Sequence, residues 1–185
     1  LWSNSGYKVA VIDADPQKSL TYWLSERKKY YGADDIGINF YNFDIRILAE
    51  EVKKIKRKYD FIIIDSPPAI TFETLQIIKA SNGVFVPVQP SPLDLMATLP
   101  FLQIAREERK KPLIILNRVM PRAKLTDAMI LRLRYSGAKI ARSRISSKVI
   151  FAESFSVGRG VIDINVTSDA AKEIINVGNE ILRNL

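Results

Sequence analysis

The sequence predicts an α/β fold: a three-layer structure in which a parallel β-sheet is flanked by helices. Three observations predict it. Runs such as KVAVIDA (residues 8–14) and YDFIIID (residues 59–65) are continuously apolar and rich in β-branched side chains, as in strands buried on both faces. Segments with helical periodicity separate such runs. Each run carries an aspartate at its carboxyl end, Asp13 and Asp65, where open parallel sheets collect their ligands.

The elements follow in order. LWSNSGYKV reads as the tail of a helix entering a strand, with Gly6 as its C-cap. The first residue is leucine, so a segment upstream of it is expected. Residues 8–14 are the first buried strand, and residues 19–31 are a helix with Leu20, Trp23 and Leu24 as its apolar positions. Residues 39–43 are a short edge strand. Residues 45–58 are a helix with Ile47, Leu48, Val52 and Ile55 on one stripe. The second buried strand, residues 59–65, leads to a helix over 71–81, a strand over 83–88, a helix over 94–108 and a strand over 112–117. Residues 125–135 are a helix closed by Gly137, and residues 139–142 are a short last strand. The closing helix, residues 168–185, carries Ala171, Ile174, Ile175, Ile181, Leu182 and Leu185 on one stripe. Few basic residues flank that stripe, so it is expected to dock on the core rather than on a membrane. No repeat or linker divides the chain, and residues 1–185 are expected to form one domain.

Composition narrows the chemistry. With no cysteine there are no disulfides, and with no histidine the commonest general base and zinc ligand are gone. No apolar run reaches membrane-spanning length. The net charge of +8 is concentrated between residues 101 and 160, which hold 14 Lys+Arg against 4 Asp+Glu. That is the footprint of a polyanion-binding face. Arg122, Lys124, Arg132, Arg134, Lys139, Arg142, Arg144, Lys148 and Arg159 have no base-reading helix or aromatic ladder around them. The expected contact is therefore with a phosphate backbone, independent of sequence and steeply salt-dependent. ARSRISSK (residues 141–148) is the densest cluster, and its serines are further phosphate donors. Trp2, Tyr7, Tyr22 and Trp23 are expected to pack in the core, and Gly158-Arg159-Gly160 to form a plain loop. Ser66 has no histidine or nearby lysine to activate it and is not a nucleophile.

Asp13 and Asp15 close the first strand and Asp65 closes the second. If all three meet at one rim, they raise one another's pKa unless a cation compensates them. Mg²⁺ suits such a site, because it keeps its waters and needs few carboxylates when phosphates supply the rest. The competing reading is helix capping, with Asp15 before an N1 proline, Pro16. Capping needs one acid and leaves Asp65 unexplained.

VIDADPQKSLTYW, YDFIIIDSPP, VPVQPSPLDLMA and LIILNRV, in this order and spacing, resemble the ParA/MinD family of deviant Walker ATPases, and most closely the small plasmid-partition ParA proteins. The resemblance implies a P-loop NTPase-like fold and an ATPase that forms a homodimer around two ATP molecules. It implies nonspecific DNA binding by that dimer and hydrolysis stimulated by a centromere-binding ParB-type partner, in the cytoplasm on the nucleoid and without a membrane. By motif, Asp15 would position the attacking water, and Asp13 and Asp65 would hold Mg²⁺ through its waters. Asn117 would read the adenine edge, and the segment from Pro87 through Pro90 to Asp94 would line the base and the dimer interface. Arg122, Lys124, Arg142, Arg144, Lys148 and Arg159 would face DNA. The family's KGG-x-x-K-[ST] phosphate loop and first strand are not in this sequence, so the quoted chain is expected to bind ATP poorly and to leave a gap in its sheet. Two alternatives stand beside this reading. A receiver-type signalling domain also gathers aspartates around Mg²⁺, although Asp15-Pro16-Gln17, Ser66-Pro67-Pro68 and the chain length oppose it. A related ATPase could instead position another cargo.

Overall fold

The structure, a computed structural model, describes residues 1–32, 36–68, 71–121 and 124–185, with the side chains of residues 124 and 125 left aside. The chain divides into two compact units, Leu1–Ala80 with Phe151–Ile164, and Ser81–Ile150 with Asn165–Leu185.

In the first unit a 3₁₀ turn (Ser3–Ser5) ends at Gly6, whose φ of 90° is the left-handed C-cap expected from the sequence. Strand β1 (Val9–Asp13) is buried at every position, as its unbroken apolar run requires. It lies between β2 (Asn39–Tyr41) and β3 (Phe61–Asp65), parallel to both. Helices α1 (Ser19–Tyr31), α2 (Leu48–Ile55) and α3 (Phe72–Ala80) belong to the same unit. Ile12, Ala14, Leu48, Ile55 and Ile77 make its core. Trp2 and Tyr7 pack on Phe61, with ring centroids 4.8 and 5.1 Å away, but Tyr7 and Tyr22 stay 43% and 53% exposed, so the expected core packing does not hold for those two. Arg27 of α1 is buried, bonded to Asp163 at 2.8 Å and stacked on Tyr31 at 4.5 Å.

The second unit is itself three layers. Strands β4 (Phe85–Val88), β5 (Leu113–Val119) and β6 (Lys139–Ser146) run parallel in that order. Alternate residues of β5 serve opposite faces, as the pleat dictates. Ile114 packs with Leu95, Leu102, Met129 and Leu133 of α4 (Pro92–Glu107) and α5 (Lys124–Tyr135). Leu113 and Ile115 pack with Val177 of the last helix, α8 (Asp169–Leu182), which therefore docks on the core. Between β6 and α8 lie α6 (Val149–Ser156) and α7 (Val161–Ile164), neither anticipated from the sequence.

Several boundaries differ from expectation, and three of them bear on the sites described below. Helix α4 starts at Pro92 rather than residue 94, because Ser91 is its N-cap and Pro92 its first residue. β5 runs on through Arg118 (φ 51°) to Val119. β6 has eight residues rather than four, and its free N–H groups are met by α8: Glu180 accepts from Arg142 and Ser143 (both 2.8 Å) and Glu173 from Ser146 (2.9 Å). Strand pairing forms two ladders of three, and among the described residues β3 pairs only with β1 and β4 only with β5.

Candidate active site at the ends of β1 and β3

Asp13 and Asp65 are register partners, each the last residue of its strand. The pairing is locked one residue further on, where Ala14 N–H donates to the Asp65 carbonyl at 2.8 Å. Asp13 has no exposed surface. Its Oδ2 accepts from the Thr21 amide at 2.8 Å and the Thr21 hydroxyl at 2.5 Å, and its Oδ1 from the Asp15 amide at 3.2 Å. Thr21 is in the first turn of α1, so Asp13 satisfies an N–H that the helix cannot satisfy itself.

Capping thus has a share in the acid pair, but not the share expected. Asp15 does not cap a helix beginning at Pro16; α1 begins at Ser19. Residues 15–18 form a β-turn closed by Lys18 N–H to the Asp15 carbonyl (3.0 Å), with Asp15 Oδ1 accepting from the Gln17 amide (2.9 Å). The turn leaves Lys18 left-handed at φ 54°, and its Nζ donates to the Asp13 carbonyl and to Asn42 Oδ1, both at 3.1 Å. Lys18 and Asn42 are site residues that sequence reasoning missed. The Asp-Pro turn signal was readable; the reach of Lys18 to a residue after β2 was not.

Asp65 differs from Asp13 in being exposed on its outer side. Partial burial, and then the neighbouring carboxylates of Asp13 and Asp15, raise its pKa above the ordinary value. The neighbouring acids therefore act on Asp65, and a cation beside it would relieve that repulsion. Among the described residues no group of three acids is close enough to ligate an ion directly. The hard oxygen donors here fit an ion held through its own waters, as Mg²⁺ prefers.

The other expected nucleotide residues are in the second unit. Asn117 precedes a bulge in β5 rather than ending the strand, and its Oδ1 accepts from the Arg118 amide at 2.9 Å. Pro90 is half-buried ahead of α4. Asp94 donates its amide to the N-cap Ser91 hydroxyl oxygen (3.0 Å), and its carboxylate accepts from the Ser91 hydroxyl (2.8 Å) and the Gln89 amide (2.9 Å).

Among the residues expected to face DNA, Arg142 and Arg144 are exposed on β6. Arg122 and the Lys124 side chain lie outside the described residues. Two others of these residues already have partners within the chain. Lys148 is paired with Glu173 at 2.6 Å, which also takes the Ser146 hydroxyl at 2.7 Å. Arg159 is in the first unit, its guanidinium 4.8 Å over the Tyr30 ring and bonded to the Asp163 carbonyl, so it is a packing residue. No helix among the described residues is long and apolar enough to cross a membrane.

Comparison with known proteins bears out the resemblance read from the sequence. A family model described as an AAA domain matches residues 33–115. The chain is 26% identical over 182 residues to the maintenance of carboxysome distribution protein A of Halothiobacillus neapolitanus, covering 95% of this chain and 83% of that protein. It is 24% identical to a ParA family protein of Mycoplasma pneumoniae, covering 83% of this chain and 59% of the relative. The solved cell division ATPase MinD of Pyrococcus furiosus superposes with a TM-score of 0.77 at 19% identity, covering 99% of this chain and 89% of that one.

Proposed function

We propose that this chain forms the acid rim of an ATPase related to the ParA/MinD proteins, one that hydrolyses ATP to drive the positioning of a cargo over DNA. The observation that carries the reading is the register pairing of Asp13 with Asp65, with Asp15 two residues beyond, at the carboxyl ends of adjacent parallel strands. Asp15, on an exposed turn, is the residue that orients the attacking water. Asp65, raised in pKa by partial burial and then by its acidic neighbours, would hold the waters of a magnesium ion. Asp13 backs it from the buried side and keeps the turn and the start of α1 in place. Bound magnesium supplies the charge that neutralises the phosphate oxygens. Asn117 meets the adenine edge, and the stretch from Pro90 to Asp94 lines the base and the face used in an ATP-dependent homodimer.

Arg142 and Arg144 supply nonspecific contacts with DNA phosphates, which places the working protein in the cytoplasm on the nucleoid. A plasmid or chromosome region marked by a centromere-binding ParB-type partner is one cargo. A large protein body is the second reading, favoured by the similarity to a protein named for carboxysome distribution. The test is Asp15→Ala. ATP turnover should fall by about two orders of magnitude, a general-base-sized loss, while nucleotide affinity is kept. Unchanged turnover rejects the role of Asp15.

A further inference from the structure

The second unit has a cleft of about 380 Å³ at the end of its sheet opposite the carboxyl ends of β4, β5 and β6. Phe85, Leu113 and Lys139 stand side by side in register where the three strands begin. The strand starts therefore bring Lys139 next to the run Arg109-Lys110-Lys111, which enters β5 through Pro112. These four cations line the cleft together with Asn82 and Asn184, and among the described residues no acidic side chain lines it.

The cationic run is held in place by the end of α4. Lys110 N–H bonds the Ala105 carbonyl and Arg109 N–H the Arg106 carbonyl, both at 2.8 Å, which is the closing pattern of a helix that ends in a left-handed residue. That residue is normally glycine; here it is Arg109, at φ 56°. The Lys110 ammonium is anchored on the Ser81 carbonyl at 2.6 Å. Arg109, Lys111 and Lys139 are exposed. Four like charges around a concavity repel one another, and a compact polyanion relieves that repulsion. A volume of this order is typical of small-molecule sites, whereas a DNA backbone is met by open surface.

We propose that this cleft is a binding site for a small oligophosphate or multiply phosphorylated solute, separate from the acid rim of the first unit. Guanidinium and ammonium groups take the phosphate oxygens, and the two carboxamides are further donors. The proposal does not depend on the ATPase reading.

The experiment is calorimetric titration of the full chain with inorganic tripolyphosphate in magnesium-free buffer at low salt. Saturable one-site binding is expected, weakened about tenfold or more in a Lys111→Ala/Lys139→Ala double variant. Both side chains are exposed, so the variant keeps its thermal unfolding temperature. Absence of saturable binding, or equal binding by the double variant, would each overturn the assignment. A short DNA duplex that binds through the same two lysines while tripolyphosphate does not would overturn it as well, and would make the cleft a DNA contact.

Discussion

Replacing Asp13 with alanine separates a structural carboxylate from a catalytic one. The side chain is fully buried and accepts from the Thr21 amide (2.8 Å), the Thr21 hydroxyl (2.5 Å) and the Asp15 amide (3.2 Å). A hydrogen bond to a charged group is worth about 1.5–3 kcal/mol, and the amide and hydroxyl of Thr21 lose their acceptor together. Loss of a helix N-terminal acceptor alone costs about 0.5–2 kcal/mol. The contributions overlap, because one truncation removes all three bonds, so we expect a loss of about 3 kcal/mol. In a chain of this length that lowers the unfolding temperature by roughly 6–12 °C. Asp13→Asn keeps one acceptor oxygen and the volume, and should lose about half as much. Asp15→Ala removes a single bond at an accessible turn, to the Gln17 amide at 2.9 Å, and should cost about 1 kcal/mol or less. Urea unfolding of the three variants measures the series. If Asp13→Ala is no less stable than Asp15→Ala, the buried network does not hold the start of α1 and the argument fails.

Three further outcomes are expected. A Cβ on Gly158 (φ 67°) would lie 2.0 Å from the Arg27 amide nitrogen, whereas one on Gly37 (φ 70°) meets nothing nearer than 3.8 Å. Gly37→Ala should cost about 1 kcal/mol for its backbone alone, and Gly158→Ala about 2–4 kcal/mol more by chemical denaturation, because α1 must move; equal losses refute the contact. Because the folded-state pKa of Asp65 is raised, the folded chain holds that proton more tightly than the unfolded chain does. Its contribution to stability therefore falls as pH rises from the ordinary carboxylate range through the raised value. Asp65→Asn should be the more stable protein at neutral pH, with the advantage shrinking on acidification, and a constant difference across a pH series rejects the coupling. Arg142→Ala/Arg144→Ala should lower DNA affinity and reduce the salt slope by about 2, while Arg159→Ala should lower stability and leave DNA affinity alone; the reverse pattern in filter binding and melting removes our assignment of these arginines.

Much of the fold was legible because buried parallel strands leave an unmistakable mark, as in VAVID and FIIID. So was the meeting of the acids, since strand ends in register share a rim. β6 was half read because its outer half, RSRIS, looks like a polar surface tract. It is extended because it pairs with β5 on one side, while on the other Glu173 and Glu180, the latter more than thirty residues away, accept its amides. Arg159 misled for a related reason: nothing local marks a basic residue that lies on Tyr30 from a distant helix. Asp13 was understood in part: the start of α1 at Ser19 was expected, but the bonds to the Thr21 amide and hydroxyl depend on how the turn at residues 15–18 brings that helix back to the strand end.

The two glutamates along β6 have a consequence for how copies of this chain associate. An outermost strand with bare amides invites a neighbouring molecule to add a strand of its own and extend the sheet without limit. Here carboxylates from the chain's own last helix already occupy the amides of Arg142, Ser143 and Ser146. Sheet continuation across this margin is closed while those glutamates stay ionised, and the arginines that alternate along it remain free for a charged partner.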